Sequence, residues 1–167
     1  MLLDTIKTIQ QNEIQRAFNW EFILPQIDGA PDNIEISSYV QDVKFGDYSI
    51  GTPYSQYLGA FKTYGANSMD IAPVTLSILS TSNGKVIQYF NAWRDLIVST
   101  RGAYFFAKSN YVKMCYCILY NRQGDSAIQY RLINCFPKTF PAHDLSYGSN
   151  EFVKFNVSLV VDAVEMM

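Results

Sequence analysis

The last third of this chain carries its clearest pattern. From Val153 onward, Val153, Phe155, Val157, Leu159 and Val161 alternate with Lys154, Asn156, Ser158 and Asp162, a period of two that gives one apolar and one polar face. Ahead of it, Ile128, Tyr130, Leu132 and Phe136 share one parity and Gln129 and Arg131 the other, until Pro137 removes a ladder donor and ends the strand. The linker from Lys138 to Asn150, with Pro141, Gly148 and Asn150, is turn chemistry. Upstream, Phe18, Trp20, Phe22 and Leu24 alternate with Asn19, Glu21 and Ile23 over Arg16 to Ile27, and Pro25 with Asp28-Gly29-Ala30-Pro31 marks the exit. Asn33 to Phe45 reads as a second strand bent near Ser37-Ser38, with Ile34, Ile36, Val43 and Phe45 apolar. Ile71 to Leu79 reads as a third, with Pro73 near its start.

The period then changes. In Lys85 to Thr100, the residues Val86, Tyr89, Phe90, Trp93, Leu96 and Ile97 recur at helical spacing, with Gln88, Asn91, Arg94 and Asp95 opposite. This predicts an amphipathic helix, capped by Ser82 or Asn83, that lays those six side chains against a sheet. Ala103 to Ala107 reads as a short strand or return segment. Tyr111 to Tyr120 is apolar on both parities, the pattern of a central strand covered on both faces, and Asn121 to Asp125 is a hairpin turn. Leu2, Leu3, Ile6 and Ile9 mark residues 1–14 as an N-terminal arm or short helix. These elements predict a mainly β fold: an antiparallel β-sandwich or open barrel of six to eight strands, flanked by one α-helix at about 85–100, in a single domain over 1–167.

Residues 46–69 fit neither period. They hold Gly51, Gly59, Gly65 and Pro53 with hardly any charge, and with Phe45 they carry Tyr48, Tyr54, Tyr57, Phe61 and Tyr64. At about 150 Å² apiece, six aromatics bury on the order of 900 Å². That equals about one partner's share, roughly 800 Å², of a standard interface. Two readings stay open for this segment, 45–70: a surface hairpin whose tyrosines lie back on their own domain, or an extended loop that packs on neighbouring subunits.

Composition sharpens the picture. At 167 residues and 49% hydrophobic, the chain has ample material for one core, yet only 17% of its residues are charged against 12 Tyr and 11 Phe. That deficit implies surface covered by protein. Net charge is -2 and the basic residues are scattered singly, so no row of cations is available to neutralise phosphates. The start, MLLDTIKTIQQNEIQ, lacks the basic flank and continuous apolar run of a signal peptide, and no stretch of eighteen apolar residues follows. Neither signal-directed export nor a membrane-spanning helix is expected.

The aromatic-Pro corner Asn134-Cys135-Phe136-Pro137-Lys138-Thr139-Phe140, the loop closing on Leu145-Ser146-Tyr147 and Asn150-Glu151, the long alternating terminal strand and the upstream helix ending in Trp93-Arg94-Asp95-Leu96-Ile97 together resemble the tail tube proteins of contractile-tailed bacteriophages and the tube subunits of contractile injection machines. The resemblance runs from about Arg16 to Val164. It implies a structural role. Six copies form a ring, their sheets join into one continuous β-barrel, and stacked rings make the tube that conducts DNA into the host after the sheath contracts. It also implies that the 45–70 loop, with Phe45, Tyr48, Tyr54, Tyr57, Phe61 and Tyr64, makes the contacts between subunits. Further implied partners are a sheath protein, a tape-measure protein, and baseplate and terminator proteins, in a virion tail assembled in the host cytoplasm. DNA passes without specific binding. Polar-face residues Glu35, Gln41, Lys154, Asn156 and Asp162 are the candidates for the lumen or ring contacts. A tube-initiating baseplate protein and an injection-machine tube are alternatives of the same fold.

Other chemistry finds little footing. Cys115, Cys117 and Cys135 fall within predicted strands, where burial disfavours the thiolate that nucleophilic catalysis with His143 would need. Their spacing with His143 matches no zinc knuckle, and no glycine pattern forms a phosphate cradle. No enzyme activity, cofactor or metal is expected. A β-barrel enclosing a small apolar ligand is the alternative outside the family.

Overall fold

The computed structural model describes residues 19–51, 54–57, 60–63, 65–66, 68–99, 102, 104–121, 123–142 and 152–167, with backbone alone for 54–57, 60–63 and 68. The N-terminal arm expected at 1–14 lies outside them. Seven strands make the body: β1 (Trp20–Ile23), β2 (Val40–Lys44), β7 (Val74–Leu79), β8 (Lys113–Tyr120), β9 (Ser126–Pro137), β10 (Lys154–Val160) and β11 (Ala163–Met166). Four more form an arm between β2 and β7: β3 (Tyr48–Gly51), β4 (Tyr54–Tyr57), β5 (Ala60–Thr63) and β6 (Ser68–Ile71). Helical segments are α1 (Asn33–Ser37), α2 (Lys85–Ile97) and α3 (Lys108–Tyr111).

Every pairing is antiparallel. The body runs β1-β8-β9-β10-β7-β2, with β11 also on β9. Two layers arise because β9 takes part in both. Its first part pairs with β8 and β11, and its end, at Phe136 and Pro137, pairs with β10. Between those parts Asn134 adopts a φ of 55°, the left-handed region that Asn tolerates better than most residues. The neighbouring strand breaks at the same level, between β10 and β11, where the Asp162 amide donates to the Ile133 carbonyl at 3.0 Å. The Asn134 side chain closes this corner by donating to Asp162 Oδ2 at 3.0 Å.

The core is the apolar parity of each strand. Phe22 sits opposite Cys117, and Leu132 opposite Cys115, in one layer, while Val157 faces Leu76 and Phe155 faces Ile78 in the other. All eight are buried. Helix α2 adds Val86, Tyr89, Phe90 and Trp93, each 0% exposed. At about 1.5–3 kcal/mol each, the four contribute on the order of 10 kcal/mol of gross stabilisation. Their polar atoms are satisfied: Trp93 Nε1 donates to the Tyr111 carbonyl at 2.9 Å, and the Tyr89 hydroxyl donates to the Pro25 carbonyl. Leu96 packs at the margin. The helix starts at Gly84, whose φ of 69° an L side chain would resist, and the Asn83 side chain accepts from the Lys85 amide.

Three expectations need correction. Residues 33–37 are helical, so the strand expected over Asn33 to Phe45 is only Val40–Lys44. Asp32 decides this by accepting from the Ile34 amide at 3.2 Å, and Ser37 Oγ closes the turn by donating to the Asn33 carbonyl at 2.7 Å. Glu35 therefore lies on α1, not on a strand face, and takes the Lys85 ammonium at 2.7 Å. Second, β8 is central, between β1 and β9, but among the described residues it is fully covered on one face only: Cys115 and Cys117 are buried, while Met114 is 47% exposed and Tyr116 and Ile118 are half-buried. Third, the helix expected at 85–100 ends at Ile97, where Val98 turns to an extended backbone and bridges to Phe105.

Candidate assembly interface

The arm is the part of the described structure that does not lean on the core. In its inner ribbon β3 pairs with β6, placing Tyr48 opposite Ile71, Ser49 opposite Asp70, Ile50 opposite Met69 and Gly51 opposite Ser68. Opposed residues share a face, so Tyr48, Ile50, Met69 and Ile71 form one apolar face. Tyr48 is 51% exposed, Ile50 64% and Met69 63%. In the outer ribbon β4 pairs with β5, from Tyr54 opposite Thr63 to Tyr57 opposite Ala60. Each ribbon is a two-stranded sheet of its own. Such ribbons are at best marginally stable in water alone.

The joint between arm and body is tight. A Cβ on Gly46 would stand 2.1 Å from the Ala72 carbonyl oxygen, so the two chains can cross only where one residue lacks a side chain. The Ala72 amide donates to the Asp47 carbonyl at 3.1 Å and closes the ribbon at its root.

The six aromatics expected at this contact fall into separate places. Phe45 packs on the body with its ring 5.5 Å from that of Tyr130, and Tyr48 stands on the arm. Tyr54 and Tyr57 belong to β4 and Phe61 to β5; Tyr64 lies outside the described residues. The pattern reading missed Ile50 and Met69, because only the pairing register shows them side by side. It also missed the exposed pair Tyr104 and Phe105, which follow the Gly102 turn.

The polar candidates also separate. Lys154 and Asn156 are exposed on β10, opposite Leu79 and Ser77. With Thr75, Ser77 and Ser158, and with Asp42 and Lys44 opposite Ser77 and Thr75 on β2, they make a polar face on the outside of the β2-β7-β10 layer. Gln41 sits at the bulge between Val40 and Asp42 on the rim of that layer. Asp162 belongs to the corner, where Lys108 donates to it at 2.6 Å. That hydrogen bond, with the one from Asn134, holds its carboxyl below the usual carboxylate range.

The buried thiols of the body are poorly suited to act as nucleophiles. The Cys115 thiol is pushed well above its ordinary value by its hydrogen bond with Cys135 and by burial, and burial pushes Cys117 to about 11. His143 lies outside the described residues. Among the described residues no cluster of three His, Cys, Asp or Glu could hold a metal, and no helix is long and apolar enough to cross a membrane. The space between the layers is filled by Phe22, Phe90, Trp93 and Phe155. One apolar groove opens at the arm's root, a cleft of about 450 Å³ walled by Trp20, Val43, Phe45, Tyr48, Cys117, Leu119, Tyr130 and Val164.

A sandwich with a corner-turning strand, one flanking helix and a ribbon arm has known counterparts. A family model described as phage tail tube protein matches residues 47–162, most of the chain. The chain belongs to the phage tail tube family. No curated protein matches its sequence. Among solved structures, this tail tube chain is similar to one from the tube-terminating cap of the anti-feeding prophage, at 18% identity and a TM-score of 0.65 over 93% of this chain and 92% of that one. It is also similar to one from the sheath–tube complex of the PVC extracellular contractile injection system, at 15% identity and a TM-score of 0.65 over 96% of each. A type six secretion system protein shares the fold at 10% identity and a TM-score of 0.52, over 90% of this chain and 83% of that one. The fold is therefore that of contractile-machine tube proteins, and the family is a structural one.

Proposed function

We propose that this chain is the repeating subunit of the inner tube of a contractile phage tail, six copies to a ring, with rings stacked into a tube that conducts DNA after the sheath contracts. The arm carries this reading. Its apolar face at Tyr48, Ile50 and Met69 is exposed among the described residues and suits a neighbouring subunit, to which β4 and β5 bring Tyr54, Tyr57 and Phe61. The half-exposed face of β8, with Met114, Tyr116 and Ile118, is a second surface for protein contact. The small polar face of Thr75, Ser77, Asn156 and Ser158, with Lys154 at its end, suits the lumen. Its centre is uncharged and Lys44 stands near Asp42 on the β2 side, so the face presents no row of cations for passing phosphates to grip. A closed ring also removes the exposed strand edges of β1 and β2. The sheath lies outside, the tape-measure protein inside during assembly, and baseplate and terminator proteins at the ends. The whole chain, 1–167, acts as one tail-tube domain with 45–70 as its contact arm, assembled in the host cytoplasm into the virion tail. It performs no covalent chemistry.

The test is negative-stain electron microscopy of the purified protein alongside Tyr54→Ala/Tyr57→Ala. Hollow rings or tubes from the first, and loss of stacking with an unchanged circular dichroism spectrum from the second, are expected. Normal tubes from the double variant would remove the arm from the contact, and a protein that stays monomeric even with baseplate present would overturn the tube itself. The fold also occurs in a tube-terminating cap. A second reading is thus a tube-end or tube-initiating protein, which would give single rings at tube ends and no long tubes.

A further inference from the structure

Two of the three buried thiols meet. Cys115 lies on β8 and Cys135 near the end of β9, both on the inner face and both 0% exposed. Lys113 pairs with Cys135 and Cys115 with Leu132, so β9 advances one residue further than β8 over this stretch. That bulge, next to the left-handed backbone of Asn134, turns Cys135 back towards the strand opposite. Its sulfur donates to the carbonyl of Leu132, the residue directly across from Cys115, at 3.3 Å. Opposed residues of an antiparallel pair have Cα atoms about 4.5–5.5 Å apart, within the span that disulfides bridge. The Cys135 sulfur therefore lies over the position facing Cys115, and the two thiols are hydrogen-bonded to each other. Cys117, two residues on, faces Tyr130 and not a thiol.

We propose that Cys115 and Cys135 form an oxidation site, at which hydrogen peroxide, a small neutral oxidant, joins β8 to β9 by a disulfide. One sulfur, once ionised, attacks a peroxide oxygen; the O–O bond breaks, a sulfenic acid forms, and the displaced hydroxide takes up the thiol proton and leaves as water. The second sulfur then attacks the sulfenic sulfur, the S–S bond forms as the S–O bond breaks, and a second water leaves. Two thiols are oxidised to one disulfide, and one hydrogen peroxide is reduced to two waters. Bulky disulfide reagents have no approach to sulfurs that are 0% exposed. Burial also keeps the thiolate scarce, so the first step is slow. Geometry sets the product instead: an isolated sulfenic acid climbs to sulfinic and sulfonic acid, whereas one beside a second thiol is intercepted. Access requires only the corner, because Asn134, the neighbour of Cys135, is half-buried, and an opening there is a local event. The disulfide ties β8 to β9 at the point where β9 changes layers. The inference concerns the subunit alone and does not rest on the tube assignment.

The test exposes the folded full-length chain to hydrogen peroxide until the exposed Met114 is fully converted to sulfoxide, then counts thiols by alkylation in urea. The count is expected to fall from three to one and dithiothreitol to restore it, whereas the sulfoxide survives that reductant. A tryptic map should show peptide 114–122 joined to 132–138, with Cys117 still alkylated. Cys117→Ser should leave the pairing in place. In Cys135→Ser, with nothing to intercept it, Cys115 should gain oxygen. A parent chain that keeps all three thiols at that dose overturns the proposal, as does one whose Cys115 goes to sulfinic or sulfonic acid. So does a folded chain that yields the same mixture of pairings as a chain oxidised in urea, since global unfolding and not the fold would then choose the partners.

Discussion

Val157 and Ile50 occupy similar local settings and meet opposite fates. Val157 lies between Asn156 and Ser158 in an antiparallel strand, opposite Leu76, and is 0% exposed. Ile50 lies between Ser49 and Gly51 in an antiparallel strand, opposite Met69, and is 64% exposed. Both are β-branched residues on the apolar side of a two-residue period. The difference is what stands across from that side. The body meets Val157 with an opposing layer and a helix, while the arm's apolar face is left exposed by the described residues. Stability should therefore reside in the body and association in the arm, and variants can pull the two apart.

The strongest separation comes from the helix. Trp93 stacks on Phe90 with ring centroids 6.5 Å apart, meets the edge of Tyr89 at 6.2 Å, and holds the Tyr111 carbonyl. Trp93→Ala opens a cavity in a site that cannot collapse around all three partners. A loss of about 3–5 kcal/mol is expected, read as a fall in the urea midpoint at unchanged slope. A midpoint that did not move would mean that α2 is not what seals the body.

Next is the joint. Gly46→Ala places a methyl against the Ala72 backbone, which no rotamer change relieves, so the crossing must open. The cost should resemble overpacking, about 1–3 kcal/mol, and the arm should be re-aimed as well. Amide chemical shifts of Asp47 and Ala72 are expected to move most, and ring stacking should weaken more than stability does. If assembly survived intact, the direction of the arm would not matter to it.

The corner has a smaller, pH-dependent share. The Asp162 carboxyl is held below its ordinary range, chiefly by Lys108, and such a group stabilises the fold above its unfolded value near 3.9 and loses that contribution as pH falls through the folded value. The side chains are 51% and 38% exposed, so the screened pair contributes about 0.2–1 kcal/mol. Asp162→Asn should thus lower stability slightly at pH 7, and the gap to the parent should close in acid. A gap that stayed constant with pH would assign the effect to the Asn134 contact and not to charge.

How much of this was legible beforehand follows the same division. The strands around Leu76, Leu132 and Val157 and the helix around Trp93 announce themselves because each buries a full parity or stripe against its own chain, leaving a period long enough to read. Residues 33–37 do not, since Ile34 and Ile36 stand two apart and five residues cannot distinguish a period of two from 3.6. The deciding signal was Asp32 after Pro31, a cap followed by one turn. The apolar second face of β8 was read as covered, yet the described residues leave it half exposed, because hydrophobicity marks a face as suited to burial and does not say what would cover it. In the arm, the tyrosines suggested a contact by composition alone and left open whether they lie back on their own domain. That Ile50 and Met69 stand together depends on the β3–β6 register, which turn chemistry at Pro53 and Gly65 did not determine.

Those two residues give the smallest stability change and the sharpest separation. Ile50→Ser/Met69→Ser removes two neighbouring apolar side chains that are already mostly in water, so the body should lose no more than about 0.5 kcal/mol, the range of ordinary surface changes. Any association through this face, however, loses its centre, and removal of buried apolar anchors is where interface energy concentrates. The expected result is an unchanged urea midpoint together with sedimentation that shows no rings or stacks at concentrations where the parent assembles. If instead the midpoint fell by several kcal/mol while assembly persisted, the face would be packed on its own body. The arm would then be an extension of the sandwich, and the search for the ring contact would move to the open side of β8.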